Sequence, residues 1–534
     1  MANYGLFGEA TFSFKLTNLM LHIFCGIGLY IFGKQLMQAV RGVTNNQATI
    51  AALVTAIAWL LHPLQVSTVL YVVQRMAQFS MLFMIMGMLV YVLGRKRMLA
   101  GHGNGLLLCT LGIAFFTPPA ALSKETGLLL PFFVLLIEVV IFRFEASCEK
   151  QKKTLIAVVL MLCVAPMLYG AWYFVESFDK LMIGYDVRDF TLTERLMTQI
   201  HVIYFYMGLV FVPDITSMGL YHDDFPVIRA FGWMTGTMLS GLMFIVALAV
   251  LLSKRLPLFT LGVLWFFLAH AVESSFLPLE MVFEHRNYMA VWGLLLPTIY
   301  YGQVGLSKLG NKLQVEYLGY LAVISLICIM SLLAFFRAAG WKDQATFVYG
   351  QYVDHPDSRR ALIGMSALHL GLNSFESARD LISKAESIGP TDPGLQLFRL
   401  YTYCNDRPPP AALISETRAS IAQGNWSIYA NQMLYSLYIA SNKRQCEYVN
   451  GDTLLDLINT AIYRRPIPSR YDSLELHLAH AGLLSDMGYF ERAYKYYQYI
   501  YNNTANLPPK TKVAILKKLK ELSTISQLVI ENGS

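Results

Sequence analysis

Leu279-Glu280-Met281-Val282-Phe283-Glu284-His285-Arg286-Asn287-Tyr288 lies between two long apolar runs, 256–273 and 288–305. Four ionisable side chains, Glu280, Glu284, His285 and Arg286, are thereby held at the edge of what reads as a pair of bilayer-spanning helices. Charge at that depth is costly, so it marks functional positions more often than it does elsewhere. Arg286 offers a planar fork suited to a phosphate. Tyr288 can add a hydroxyl at headgroup depth. The plainer reading is an exposed loop whose Arg and Tyr only anchor the interface.

Outward from this stretch the chain is uneven. It has 534 residues, 55% hydrophobic and only 14% charged, with a mean hydropathy of +0.45, which is the composition of a polytopic membrane protein rather than of a soluble enzyme. Apolar runs fill about the first 337 residues, at 16–33, 47–61, 66–93, 105–122, 126–142, 154–175, 227–251, 256–273, 288–305 and 316–337. Most approach the roughly 20 residues a spanning helix needs. The run at 47–61 ends at His62-Pro63, where proline stops a helix. These runs predict about ten spans in a domain covering 1–340, followed by a soluble helical domain over 341–534. The formal charge is +7, and several of the cations form short loop clusters, which orient helices and give no sign of nucleic-acid binding.

Those clusters are Arg95-Lys96-Arg97, then Arg143 with Lys150, Lys152 and Lys153, then Lys254-Arg255, then Lys308 with Lys312. Placing all of them in the cytoplasm puts 118–125, 176–198, 274–287 and the soluble domain outside. The shorter run at 199–213 would upset that count if it spanned, so it reads as re-entrant or interfacial. The count also leaves the N-terminus outside with no signal peptide to carry it. That predicts a chain recorded from after a missing first helix.

Several polar groups fall on the external side. On a helix beginning near Val66, Tyr71 and Arg75 share a face, and an Arg within a span faces a protein interior or a wet cavity. Ser123 resembles an N-cap and Glu125 a first-turn carboxylate, but Lys124 at a helix start is unfavourable unless it faces an anion. His62 sits at the same level. Asp223 and Asp224 could bind a divalent cation through oxygen, with a solvated turn as the alternative. No Cys-x-x-Cys or Cys/His metal spacing is present, so the sequence offers no structural zinc. Cys404 and Cys446 are the only cysteines of a domain placed in an oxidising compartment, which predicts a disulfide between them.

The order of these groups resembles a known family. Thr17-Asn18-Leu19-Met20-Leu21-His22 comes first, then His62-Pro63-Leu64-Gln65 with Tyr71-Val72-Val73-Gln74-Arg75-Met76. Leu122-Ser123-Lys124-Glu125 and Leu130-Pro131 follow, then Tyr185-Asp186-Val187-Arg188-Asp189-Phe190 with Glu194-Arg195-Leu196-Met197-Thr198-Gln199. Pro278-Leu279-Glu280 and Glu284-His285-Arg286-Asn287-Tyr288 close the series. Over about residues 5–340 the chain is similar to the bacterial relatives of the transmembrane and tetratricopeptide-repeat O-mannosyltransferases. The resemblance implies a GT-C fold in the inner membrane and a periplasmic domain of TPR-like helical repeats. It also implies transfer of a sugar from a polyprenyl-phosphate carrier to a protein or glycan hydroxyl. Arg286 would hold the donor phosphate, with Lys124, Arg75, Arg188, His285 and Tyr288 beside it and Glu284, Glu125 and His62 in support. A divalent cation could assist. The repeats would bind an acceptor polypeptide or a partner protein along a concave face.

Two stretches suit such repeats. In Ala361–Pro390 the small Ala378 and Ala385 flank Ile382, and in Leu474–Pro508 Gly488, Ala493 and Tyr497 precede Pro508-Pro509. The family's acidic base in the first external loop has no clear counterpart. Glu9 is the only carboxylate before the first run, and its place at the membrane entry speaks against it. The base therefore lies in a missing segment, or the chain is inactive. An oligosaccharide ligase and a non-catalytic scaffold are the competing readings.

Overall fold

In the computed structural model the described residues are 5, 8, 11–185, 188–313, 317–389, 392–424, 426–443, 445–463, 471–504 and 507–532, and among them every regular element is helical. Glu9 and the closing Pro390 lie outside the described residues. By internal contacts the chain divides into two units, Met1–His355 and Pro356–Ser534.

In the first unit, seven of the described helices are long and apolar enough to cross a membrane: Thr11–Met37, Val72–Leu99, Gly105–Ser123, Glu125–Phe142, Glu149–Glu176, Trp233–Leu251 and Gly319–Ala339. Three further expected runs form the helices Asn45–Leu60, Pro257–His270 and Asn287–Leu313. Outward faces carry bare apolar side chains such as Leu122, Trp172, Phe244 and Phe335, as lipid-facing surfaces do. Inside, Phe32, Phe133, Trp265 and Trp292 pack ring against ring at centroid distances of 4.4 to 6.1 Å. Helix Arg75–Leu99 meets Gly105–Ala114 through glycines: a Cβ on Gly87 would stand 2.6 Å from the Gly112 carbonyl oxygen, and one on Gly94 2.8 Å from that of Gly105. Only small residues allow such an approach.

Three local expectations change. The run 66–93 is not one helix: Gln65–Leu70 ends at Tyr71, whose backbone is extended, and a new helix starts at Arg75. Asn18 bridges the break, donating to the Val69 carbonyl and accepting from Arg75 Nε. Tyr71 and Arg75 therefore do not share a helical face. Ser123 is not a cap; it ends helix Thr117–Ser123, donating its hydroxyl to Pro119 O, and Lys124 is extended before the 3-10 turn Glu125–Leu129. The fold-back there is tight, because a Cβ on Gly127 would overlap the Ala120 backbone. Arg95 is not a loop cation. It is fully buried against Glu138, 2.8 Å away, and Lys96 donates to Gln35 and Gln38, so that cluster presents less free charge than its sequence suggests.

The run 199–213 is part of a 20-residue helix, Leu192–Phe211, opened by a Thr191/Glu194 capping box. It carries a polar stripe, Arg195, Gln199 and Tyr206, at i, i+4 and i+11, positions that share one helical face.

The second unit is a succession of helix pairs. Arg359–Gly371 packs on Phe375–Ser387 across a turn in which Asn373 is left-handed, with Ala378, Ile382 and Ala385 fully buried. Tyr471–Asp486 and Phe490–Asn503 turn at Gly488, φ +82°, and bury Ala481, Ala493 and Ile500. Pro509 does not merely stop a helix; it opens the next, Pro509–Asn532, where a missing N–H costs nothing. Cys404 and Cys446 form a disulfide across a separation of 42 residues. Of the seven cysteines, five are free. Thiol labelling of the denatured, unreduced chain is expected to count five thiols, and seven after reduction. Seven before reduction would rule the bridge out.

Candidate functional site

The loop between Pro257–His270 and Asn287–Leu313 is stapled from one side by the stripe on Leu192–Phe211. Arg195, fully buried, donates to the carbonyls of Glu273, Ser275 and Leu279. Gln199 donates to Met281 O at 3.0 Å, and the Tyr206 hydroxyl both donates to Phe283 O and accepts from Phe283 N. Arg188 holds the same loop, through Pro278 O and the Glu280 carboxylate at 2.6 Å. Saturating loop carbonyls with guanidinium donors fixes an irregular backbone that would otherwise be costly to bury.

Beside this loop a small cavity of about 30 Å³ is lined by Lys124, Glu273, His285, Arg286 and Tyr288, with Ser80 and Thr126 and with apolar neighbours such as Met81, Leu129 and Phe133. Lys124 and Glu273 form a buried ion pair at 2.7 Å. Arg286 donates Nη1 to Met281 O and Nη2 to Glu280 O, at 2.8 and 2.7 Å, while its buried Nε has no hydrogen-bond partner. Arg286 is thus paired with neither the Glu280 nor the Glu284 carboxylate. Burial, with the Lys124 and Arg286 charges beside it, pushes the His285 imidazole well below its ordinary pKa, so the ring is neutral and offers one donor and one acceptor. Tyr288 is not on the protein surface. It is buried, with its hydroxyl bonded to His22 Nδ1 at 2.9 Å, while His22 Nε2 is 3.0 Å from Leu60 O. A carbonyl can only accept, so His22 carries its proton on Nε2 and Tyr288 donates to Nδ1. That leaves the Tyr288 oxygen able to accept but not to donate to a phosphate.

Four of the six residues expected to hold a donor phosphate therefore meet in one cavity. The other two do not line it. Arg75 is bonded to Asn18 and Phe14 O, and Arg188 to the loop. Among the supporting residues, Glu125 opens the 3-10 turn beside Lys124. His62 bonds Val210 O, and burial takes its pKa down to about 4. Glu284 faces away, toward Arg337 and, at 3.7 Å, His222. Burial works to raise its carboxyl, yet the Arg337 charge and the His222 contact hold it below the ordinary value. Asp224 is bonded to His355 Nδ1 at 2.9 Å.

Two residues of this site have no role in the sequence reading. Glu273 ends an apolar run and looks like a solvated loop acid; only its contact with Lys124 gives it a place in the cavity. Arg195 lies in the quoted stretch Glu194–Gln199 without an assigned role, and the stripe it shares with Gln199 and Tyr206 is the signal that could have placed it. Compared with known proteins, the chain matches no protein family, no curated protein and no solved structure.

Proposed function

We propose that the chain is an integral membrane glycosyltransferase of GT-C type, moving a sugar from a polyprenyl-phosphate carrier to an acceptor hydroxyl. The observation that carries this reading is the convergence of Lys124, Arg286 and neutral His285 on one cavity that also holds a carboxylate, Glu273. The donor phosphate takes Glu273's place against Lys124 and accepts from the unpartnered Arg286 Nε. Fixed cations of this kind stabilise a phosphate leaving group as its charge grows. Glu273, the only acidic residue among those lining the cavity, is then free to accept the proton of the acceptor hydroxyl. The hydroxyl oxygen bonds to the anomeric carbon, the bond from that carbon to the phosphate oxygen breaks, and the phosphate keeps the electron pair.

The Cys404–Cys446 bridge supports an oxidising location for the C-terminal unit, the periplasm in a Gram-negative bacterium. Its paired helices suit TPR-like repeats that receive an acceptor polypeptide, a glycan or a partner protein. A second reading, a non-catalytic scaffold, is favoured by the size of the cavity. About 30 Å³ is small beside the several hundred Å³ of an ordinary small-molecule site.

The test is transfer from radiolabelled polyprenyl-phosphate-linked sugars, using membranes that carry the full chain. Transfer above membranes lacking the chain, falling roughly hundredfold in Lys124→Met at matched folded amount, is expected. The mass gained by the product separates single-sugar transfer from block ligation. An inactive parent across a panel of donor sugars would favour the scaffold.

A further inference from the structure

Away from that cavity, two histidines and an aspartate from distant parts of the first unit come together. One nitrogen from each of His222 and His355 and one Asp224 oxygen lie within 4.8 Å of one another. His222 and Asp224 belong to the loop that follows helix Leu192–Phe211, and His355 caps the C-terminal end of helix Gln344–Asp354. The imidazoles meet edge to face with centroids 5.1 Å apart. Both side chains are more than nine-tenths buried; His355 Nδ1 is 2.9 Å from Asp224 Oδ2, His222 Nε2 stands 3.7 Å from the Glu284 carboxylate, beyond hydrogen-bond distance, and His355 Nε2 has no hydrogen-bond partner. Buried ring nitrogens without a hydrogen bond are a cost that the protein's own groups do not relieve.

We propose that His222, Asp224 and His355 bind one divalent transition-metal ion of the zinc class. Two imidazoles and a carboxylate are donors that such an ion accepts at about 2.0–2.2 Å, with a fourth position left for water. The nitrogen content disfavours magnesium and calcium, which take oxygen ligands. The charge around the site also suits a dication. Besides Asp224, the carboxylates of Glu284 and Asp354 act on His355, and the nearby Arg337 is paired with Glu284.

The surroundings are built to hold these ligands in place. Gln351 Oε1 accepts from Leu220 N and Tyr221 N, fastening the loop to the helix that ends at His355. Gly219 lies against the ring, so that a Cβ there would come within 2.6 Å of His355 Nε2 and 3.0 Å of Gln351 Oε1. Any other residue at 219 displaces the imidazole. The ion then clamps loop to helix, a role that does not depend on the sugar-transfer reading.

The test is metal binding by the full chain, purified in detergent without a polyhistidine tag and dialysed against a chelator. Titrated with Co²⁺ and then Zn²⁺, the parent is expected to bind one ion per chain, with tetrahedral or five-coordinate Co²⁺ absorption that Zn²⁺ abolishes and Mg²⁺ does not. His222→Gln with His355→Gln loses stoichiometric binding. Gly219→Ala weakens it roughly tenfold, as loss of ligand support does. Asp223→Asn leaves it unchanged. No stoichiometric binding to the parent overturns the proposal whatever the variants do, and so does binding that survives the double histidine change. Loss of binding in Asp223→Asn but not in Asp224→Asn would likewise overturn this ligand set.

Discussion

Arg286→Lys is expected to lower sugar transfer about a hundredfold at matched folded amount, the usual cost of losing a donor aimed at a developing negative charge. The lysine keeps the charge but lacks the fork. Arg286 spends two donors on Glu280 O and Met281 O, and its buried Nε has no hydrogen-bond partner. An ammonium reaching for those carbonyls has no third group held at a fixed angle to them. Arg286→Ala should lose more, and should also loosen the loop, because two buried carbonyls then lack donors. Transfer rate and donor affinity, read beside a melting curve, separate the two roles. If both stay at parental values in the lysine variant, Arg286 does not hold the phosphate. If transfer falls only as far as the folded fraction does, Arg286 is a loop staple and nothing more.

Glu138→Gln is expected to destabilise the first unit by about 3–5 kcal/mol, the range found when one partner of a buried ion pair is removed. Both side chains are fully buried. The carboxylate accepts from Arg95 Nε and Nη2, from the Tyr91 hydroxyl at 2.6 Å and from Phe144 N. A glutamine keeps the shape but leaves the Arg95 charge uncompensated in the core, and it must turn a donor toward Arg95 or Tyr91. Arg95→Met combined with Glu138→Leu removes both charges and should recover most of the loss, since an apolar pair of similar volume avoids the desolvation penalty. Thermal unfolding in detergent, followed by size exclusion, checks both. A single variant as stable as the parent would mean that water reaches this pair.

The same pair shows how charge misleads when read along the chain. Arg95-Lys96-Arg97 looks like a cytoplasmic cluster because three cations adjoin the end of an apolar run. Its first member is committed to a carboxylate on another helix, and no local pattern announces that. Lys124 is the converse. Its awkward place at a helix start does point to a negative partner, and the structure supplies Glu273.

By itself the sequence determined what depends on neighbours along the chain. The length and apolarity of the runs give helices able to cross a membrane, because burying a backbone in lipid requires each helix to satisfy its own hydrogen bonds. Proline after His62 marks a helix end for an equally local reason. Tertiary structure alone decided which ionisable groups face each other. Lys124 with Glu273, Glu138 with Arg95, and His355 with an Asp224 lying 131 residues earlier are partnerships between segments distant along the chain. In a buried setting one such contact fixes whether a side chain is a ligand, a staple or a charge in need of cover, because the low-dielectric interior penalises any polar group left without its match.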